Sequence, residues 1–316
     1  MAVNDPRPRS AVLAAGLGLT LLAPAPAGAQ TEGSLFDRPT ELEMEFSAGL
    51  EYDSNVSVID IDSNVGEGDT ALTARAEVDY GIELADDTEF EAGYTLAYKG
   101  YNDFSDFDLL TQLGNLSIDR DFGDLKAGGT YRLINSRLGG DNFLTINQFA
   151  PFVSNFFSKT LYVRADYIYS DKSFDNRPGR DGDQHSVGAD AYFFLDGVRR
   201  YLVVGYDYET MSADDDQFSY DGHGVKVRLL QRLTFGSRDT RLKLGARFET
   251  RDYDAPTPSI GEPRDDDRLR LEAEFEIPIT DRYFVTAEYE YGDFSSALPA
   301  ADYSQSVIGV QFGAQF

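Results

Sequence analysis

The sequence contains no cysteine, no tryptophan and only two histidines, and it has about half as many basic residues as acidic ones. The absence of cysteine suits a cell-envelope protein that avoids stray disulfides. The formal net charge of −27 argues against nucleic-acid binding, because neutralising phosphates requires a basic surface. Beyond residue 30, no apolar run reaches the roughly 18 residues that a membrane-spanning helix needs. Membrane proteins that cross with strands remain possible, because strands hide their apolar residues by alternating them with polar ones.

The N-terminus has the three parts of a secretory signal peptide. Arg7 and Arg9 supply the positive start, residues 11–22 form an apolar core, and Ala27-Gly28-Ala29 matches a cleavage site. We therefore expect export from the cytoplasm. The expected organisation is a signal peptide at residues 1–29, a short periplasmic N-terminal tail at 30–40 and an outer-membrane β-barrel domain at 41–316.

The dominant pattern after the signal peptide is alternation with a period of two. From Leu42 to Tyr52 every even position is apolar, and the odd positions between them hold glutamate, serine or glycine. A helix would spread those glutamates over all its sides, whereas a strand puts them on one face. Most segments of this kind reach the roughly 9–11 residues that a tilted membrane strand needs. Fourteen are recognisable, at approximately 40–52, 70–84, 88–100, 107–120, 124–134, 143–156, 160–170, 185–195, 200–210, 220–233, 240–252, 267–279, 283–292 and 304–316.

The connections between these segments alternate between short and long. Short periplasmic turns and long outer loops occur in this order in outer-membrane barrels. The sequence therefore predicts an all-β fold, a transmembrane antiparallel up-and-down β-barrel of about 14 strands in the bacterial outer membrane. A soluble β-propeller or sandwich is the alternative, and its strands would be shorter.

Tyrosines of the apolar face cluster near the same end of alternate segments. An amphipathic ring suits the lipid–water interface, where its body lies in lipid and its hydroxyl in water. We therefore expect an outer aromatic girdle, with phenylalanines at the inner interface. The outer set is Tyr52, Tyr98, Tyr131, Tyr167, Tyr169, Tyr206, Tyr208, Tyr289 and Tyr291, and the inner set is Phe193, Phe275 and Phe316.

Two short motifs resemble known families. A last strand that ends on an aromatic residue, here Phe316, resembles bacterial outer-membrane barrels in general. That resemblance implies pairing of the last strand with the first, and recognition of the terminal aromatic by the outer-membrane assembly machinery. The run Tyr52-Asp53-Ser54-Asn55-Val56 resembles β-barrel porins linked to exopolysaccharide loci. It is also similar to the barrel domain of surface lipoprotein assembly modifiers, whose helical repeats before the barrel have no counterpart in residues 30–40.

The alternation assigns many charged side chains to the lumen. Such charges can pair across strands, for example Arg228 and Arg247 with Glu272 and Glu274. They can also line a pore and set its preference for solutes, and the two roles are compatible. The predicted pore-lining residues are Glu43, Glu45, Glu77 and Glu91, then Lys226, Arg228, Arg232, Lys243, Arg247 and Arg251, and finally Glu272, Glu274 and Glu288.

The leading functional hypothesis is a porin-like channel for small polar or saccharide solutes. The alternative is a non-conducting structural or assembly barrel that serves polysaccharide or surface-protein export. The expected partners are outer-membrane lipid and lipopolysaccharide, the assembly machinery during biogenesis and a polar or saccharide solute, but no nucleic acid.

Enzymatic and metal-binding hypotheses find little support in the sequence. His185 and His223 could serve a hydrolase, the first beside Asp183 and Ser186, but no catalytic motif accompanies them. The chain is therefore predicted not to be an enzyme and to need no cofactor. Asp60-x-Asp62-x-Asn64 imitates the start of a Ca²⁺-binding loop, but valine and alanine occupy the positions where that loop needs glycine and glutamate. We expect no specific metal site there, but a solvated loop loosely bridged by divalent cations to lipopolysaccharide.

Overall fold

The computed structural model describes residues 40–235 and 238–316. Their main sheet is a closed antiparallel barrel of fourteen strands, in which the last strand pairs with the first. Two further strands, β2 (Ser57–Val58) and β3 (Ser63–Asn64), pair with each other in the first long connection. The barrel strands are β1 (Thr40–Asp53), β4 (Asp69–Ala85), β5 (Thr88–Tyr101), β6 (Leu109–Phe122), β7 (Leu125–Leu138), β8 (Asp141–Ser158), β9 (Leu161–Phe174), β10 (Gly182–Asp196), β11 (Arg200–Ala213), β12 (Tyr220–Phe235), β13 (Arg238–Tyr253), β14 (Asp265–Pro278), β15 (Tyr283–Ser296) and β16 (Tyr303–Gln315).

The predicted fold class is confirmed, and each of the fourteen predicted segments corresponds to one barrel strand. The predicted signal peptide at 1–29 and most of the predicted tail lie outside the described residues, and β1 begins at Thr40, the last residue of that tail.

Among the described residues, helical structure is limited to four single-turn 3₁₀ helices at one end of the barrel. No helix within 40–235 or 238–316 combines the length and the hydropathy needed to cross a membrane. The four are η1 (Ile59–Ile61), η2 (Ser105–Phe107), η3 (Pro178–Arg180) and η4 (Asp216–Phe218).

One predicted long connection, at 135–142, is wrong. β7 and β8 continue to a two-residue turn formed by Gly139 and Gly140. Their φ angles of 58° and 89° lie in the region that glycine adopts without steric cost. Two-residue turns with positive φ match the right-handed twist of a hairpin. Residues 135–142 therefore belong to a β-hairpin that is longer than predicted, although their polar and apolar residues do not alternate clearly.

Side-chain alternation separates an apolar exterior from a polar interior. Outward residues such as Leu50 (67% exposed) and Val187 (57% exposed) are apolar, as expected for strands that face hydrocarbon. Connections at one end of the barrel are short, and this is called the short-turn end. The opposite end, which carries the four 3₁₀ helices, is called the long-loop end.

Candidate functional site

The barrel encloses a cavity of about 980 Å³. Glu41 and Arg282 line it at the short-turn end, and Ile59 and Asp60 line it at the long-loop end. The cavity therefore extends along the barrel between its two ends. Its volume lies at the upper end of the roughly 300–1,000 Å³ typical of small-molecule sites.

One wall of the cavity is acidic, and the opposite wall carries more cations, interspersed with carboxylates such as Asp190, Asp207 and Glu249. β4 and β11 are half a turn of the barrel apart in strand order, so the walls centred on them face each other. Charged groups with this arrangement orient a dipolar or charged solute in a narrow lumen. The acidic wall presents Glu43, Glu45, Glu77, Asp79 and Glu91 to the cavity, and the more basic wall presents Arg164, Lys172, Lys226, Arg247 and Arg251.

The first long connection, residues 54–68, here called loop 1, packs against the inner wall at the long-loop end. Val58 and Ile61 contact a buried apolar cluster on β6–β9. Ile59 and Asp60 of the same turn face the cavity. Loop 1 therefore starts from the β1–β4 side and narrows the long-loop end. The cluster consists of Leu113, Ile134, Phe143, Leu144, Ile146 and Phe174.

Asp62 holds loop 1 in this position through three arginines, and we call this group the Asp62 latch. Arg180 of η3 approaches its carboxylate at 2.7 Å, Arg264 at 3.2 Å and Arg268 of β14 at 3.9 Å. Burial alone would raise the pKa of the Asp62 carboxyl. The charges of Arg264 and Arg180 outweigh burial and hold that pKa below its usual value. Asp62 is therefore ionised at neutral pH, and the latch is intact.

The predicted solvated character of loop 1 is wrong. Asp62 is 8% exposed, and Val56 is fully buried. Arginine side chains surround the carboxylate that the Ca²⁺-like pattern suggested. In the part of the chain that the structure describes, no group of three or more histidine, aspartate or glutamate side chains could hold a metal ion. The apolar residues Val58 and Ile61 were the available signal, because a solvated loop rarely carries them so densely.

The Tyr52-Asp53-Ser54-Asn55-Val56 run forms the base of loop 1. The fully buried Asp53 carboxylate accepts hydrogen bonds from the Tyr101 hydroxyl and the Gln305 amide, each at 2.8 Å. The Asn55 side-chain oxygen accepts one from the Gly66 backbone N–H at 2.9 Å. The motif therefore attaches both ends of loop 1 to each other and to β16, which gives it a structural role in positioning the loop.

The predicted pore-lining residues divide into two groups, and their role in a pore stays a prediction. Seven line the cavity, namely Glu43, Glu45, Glu77, Glu91, Lys226, Arg247 and Arg251. The other six, which are not part of its lining, are Arg228, Arg232, Lys243, Glu272, Glu274 and Glu288.

The expected cross-strand ion pairs are partly present. Arg228 contacts Glu272 at 3.1 Å, as expected. The expected pairing of Arg247 with the glutamates of β14 is wrong, because both of its terminal nitrogens contact the Asp207 carboxylate at 2.8 Å. Lys243 contacts Glu274 instead, at 2.7 Å.

Five further cations that barrel strands contribute to the cavity wall were not among the predicted site residues. They lie on β7, β9 and β14, and their parity places them on the inward face. The same alternation would have identified them, because each is an even-numbered residue on a strand whose inward positions are even. They are Arg132, Arg164, Lys172, Arg268 and Arg270.

A family comparison agrees with this architecture. The sequence model of the outer membrane protein beta-barrel domain family matches residues 119–316, which is more than half of the chain. This chain is an outer-membrane β-barrel of that family. Its location is therefore the bacterial outer membrane. A search of curated protein sequences found no match to it.

Solved outer-membrane barrels share the fold at low sequence identity. OmpT of Vibrio cholerae is 10% identical, with 92% of this chain and 100% of that one covered, and a TM-score of 0.54. The anion-selective porin from Comamonas acidovorans is also 10% identical, with 89% and 100% covered and a TM-score of 0.52. Salmonella typhi OmpF, solved in complex with daunomycin, is 10% identical, with 88% and 97% covered and a TM-score of 0.50. At this identity the likeness shows the fold alone.

The exterior of this outer-membrane barrel carries tyrosines of the predicted outer girdle, and both histidines lie among them. Tyr167 and His185 share a hydrogen bond of 2.6 Å, and Tyr206 and His223 share one of 2.9 Å. Ser186 lines the cavity, on the opposite face of β10 from His185. These two side chains therefore cannot act together, which removes the pairing of His185 with Ser186.

Inward glycines on the basic wall allow ion pairs to form between strands that are not neighbours. Gly205 of β11 lies in register between Asp190 of β10 and Lys226 of β12. The Lys226 ammonium contacts the Asp190 carboxylate at 2.9 Å across it. Gly245 lies in the same way between Arg228 and Glu272. The paired charges therefore lie along the wall.

Replacing Gly205 by alanine is expected to separate the Lys226–Asp190 pair. The added Cβ would lie 2.1 Å from the Asp190 carboxylate and 2.4 Å from the Lys226 side chain. Both atoms are at the ends of flexible side chains, so the barrel still folds, at a cost of about 1–3 kcal/mol. Thermal unfolding followed by gel mobility measures the change. Gly81→Ala is the control, because that inward position has nothing within 4 Å of an added Cβ, and equal effects of the two changes would contradict the prediction.

Proposed function

We propose that this outer-membrane barrel is a porin-like channel for small polar or saccharide solutes. The observation that carries the proposal is the cavity of about 980 Å³, which is lined by residues of both barrel ends. Fourteen strands lie between the eight-stranded barrels that side chains fill and the 16–18-stranded barrels that enclose an aqueous channel. The charged side chains of the walls then favour polar solutes over apolar ones, because their groups replace water in solvating the solute.

Loop 1 is the constriction of this channel. The turn Ile59–Ile61 projects from it, and Ile59 and Asp60 line the cavity. The Asp62 latch joins the loop to η3 on the side opposite its base and also to β14, three strands from β1. The narrowest point therefore lies at the long-loop end, which is the outer end in barrels with this alternation of turns.

A non-conducting barrel that serves polysaccharide or surface-protein export is the second candidate. The extensive fixation of loop 1 favours it, because a loop attached at Asp53, Asp62 and Asn64 obstructs the outer opening. Under this alternative the cavity opens only towards the periplasm.

Conductance of the purified full-length protein in planar bilayers tests the channel proposal. We expect discrete conductance steps that are absent from bilayers exposed to protein-free detergent micelles. The steps should be small, because loop 1 narrows the outer end. The Asp62→Asn variant, whose latch is weakened, is measured beside the wild type. Silence of both proteins over a range of voltage would overturn the channel proposal and favour the export candidate.

A further inference from the structure

Two arginines of the cavity wall lie outside the short ion pairs that the other cations form. Arg132 on β7 is 7% exposed, and its Nη1 donates to the Gln148 side-chain oxygen at 2.7 Å. Its Nε is buried without a hydrogen-bond partner. Arg164 on β9 stacks over the ring of Phe152, with its Cζ 3.6 Å from the ring centroid. Within residues 40–235 and 238–316, neither guanidinium forms an ion pair.

Other cations of the same wall are neutralised at short range. Lys226 contacts Asp190 at 2.9 Å, and Arg251 contacts Glu249 at 2.6 Å. Burying a charge costs several kcal/mol unless a counter-charge and hydrogen bonds offset it. Two unpaired guanidinium groups in one region of the wall also repel each other. Asp166 is the carboxylate that acts on both guanidinium groups, and it forms an ion pair with neither, so one acidic group compensates two positive charges only at longer range.

The stacking of Arg164 presents its donors in one plane. A guanidinium that lies flat on an aromatic ring keeps its N–H groups directed outward along its edge. Paired N–H groups of this kind match the two oxygens of a carboxylate. Phe152 therefore orients Arg164 for an anionic partner that reaches it from the cavity.

Besides the nearby carboxylates of Asp166 and Asp190, uncharged hydrogen-bonding groups line the wall around Arg132. Gln148 donates to the Ser170 hydroxyl at 3.0 Å, and Asn115 and Thr130 also line the cavity. Amide and hydroxyl side chains complement the hydroxyls of a sugar. A ligand that carries both a carboxylate and several hydroxyls matches this region of the wall.

We propose that Arg132 and Arg164 form a subsite for the carboxylate of an acidic saccharide. This inference rests on the proposed channel function and specifies its solute class as sugars that bear a uronic acid. The Arg164 edge binds the carboxylate, Arg132 supplies the second positive charge, and the neighbouring amide and hydroxyl groups bind the sugar hydroxyls.

Calorimetric titration of the full-length protein in detergent with trigalacturonate tests the subsite. The fully methyl-esterified trisaccharide is the neutral control ligand. We expect the charged form to bind about tenfold or more tightly than the ester, because a charge-assisted hydrogen bond contributes roughly 1.5–3 kcal/mol. The double variant Arg132→Gln, Arg164→Gln should lose this preference. Arg120→Gln is the matched control, because Arg120 pairs with Asp87 at the short-turn end and does not line the cavity.

Equal affinity for the two ligands, or an unchanged preference in the double variant, would overturn the subsite. If the double variant does not fold, as judged by heat-modifiable gel mobility, Arg164→Gln alone provides the test and should weaken binding of the charged ligand. Binding is measured without current, so its outcome is independent of conductance. A barrel that binds trigalacturonate but does not conduct retains the subsite and loses the channel. A conducting barrel without this preference retains the channel and loses the subsite.

Discussion

Replacing Gly49 by alanine is expected to prevent normal closure of the barrel. An added Cβ at this position would lie 2.2 Å from the Val310 carbonyl oxygen and 2.7 Å from the Gln311 Cα. Both are backbone atoms of β16, so no side-chain rotation relieves the clash. β1 and β16 must move apart where they pair, and the cost should exceed the roughly 1–3 kcal/mol typical of overpacked cores. The folded fraction, measured by heat-modifiable gel mobility after refolding into detergent, should fall sharply.

Gly309→Ala is the matched control for this change. Gly309 lies on β16 at the same β1–β16 junction, opposite Glu51. A Cβ there would meet its nearest neighbour at 3.4 Å, which is ordinary van der Waals contact. Gly309→Ala should therefore refold like the wild type. If Gly49→Ala refolds as well as the wild type, β1 and β16 tolerate separation at this point, and the prediction is contradicted.

Replacing Asp62 by asparagine is expected to release loop 1 from the far wall. The variant keeps the shape of the side chain but removes the charge that holds Arg180 and Arg264, of which Arg264 is 2% exposed. Removing one partner of a buried ion pair typically costs about 3–5 kcal/mol. We expect larger single-channel conductance and faster amide hydrogen exchange in loop 1, with little change in the barrel strands.

Asp216→Asn removes the same charge at a different outer position. Asp216 is exposed on η4 and lies outside the Asp62 latch. The Asp216→Asn variant should leave both the single-channel conductance and the amide hydrogen exchange of loop 1 unchanged. If Asp62→Asn behaves like Asp216→Asn in both measurements, the latch does not hold the loop, and the apolar contacts of Val58 and Ile61 alone position it.

The barrel itself was predictable because one physical rule governs every strand. Side chains alternate between lipid and lumen, so the pattern of Leu42 to Tyr52 identifies both the strand and its faces. The prediction of a long connection at residues 135–142 failed because polar residues no longer alternate with apolar ones there. The turn is formed by Gly139 and Gly140, whose φ angles are positive. This glycine pair predicts a tight turn better than the weak periodicity around it predicts a loop.

The site was less predictable because its contacts join distant parts of the chain. Alternation placed Arg247 in the lumen, but only the strand register brings it to Asp207, two strands away. Glycine at position 224 makes that approach possible, since an added Cβ there would lie 2.6 Å from the Arg247 side chain. The inward course of loop 1 likewise depends on Arg264, which follows Asp62 by about 200 residues. No sequence pattern near Asp62 predicts its contact with Arg264.

The attachment of loop 1 has a consequence for the order of events during biogenesis. Asn55 donates to the Ser304 backbone oxygen, and the Ser306 backbone N–H donates to Ser54. Neither contact can exist until the last strand has joined the first. A nascent or half-inserted barrel therefore lacks both contacts, and the base of loop 1 becomes attached to β16 only when the cylinder is complete.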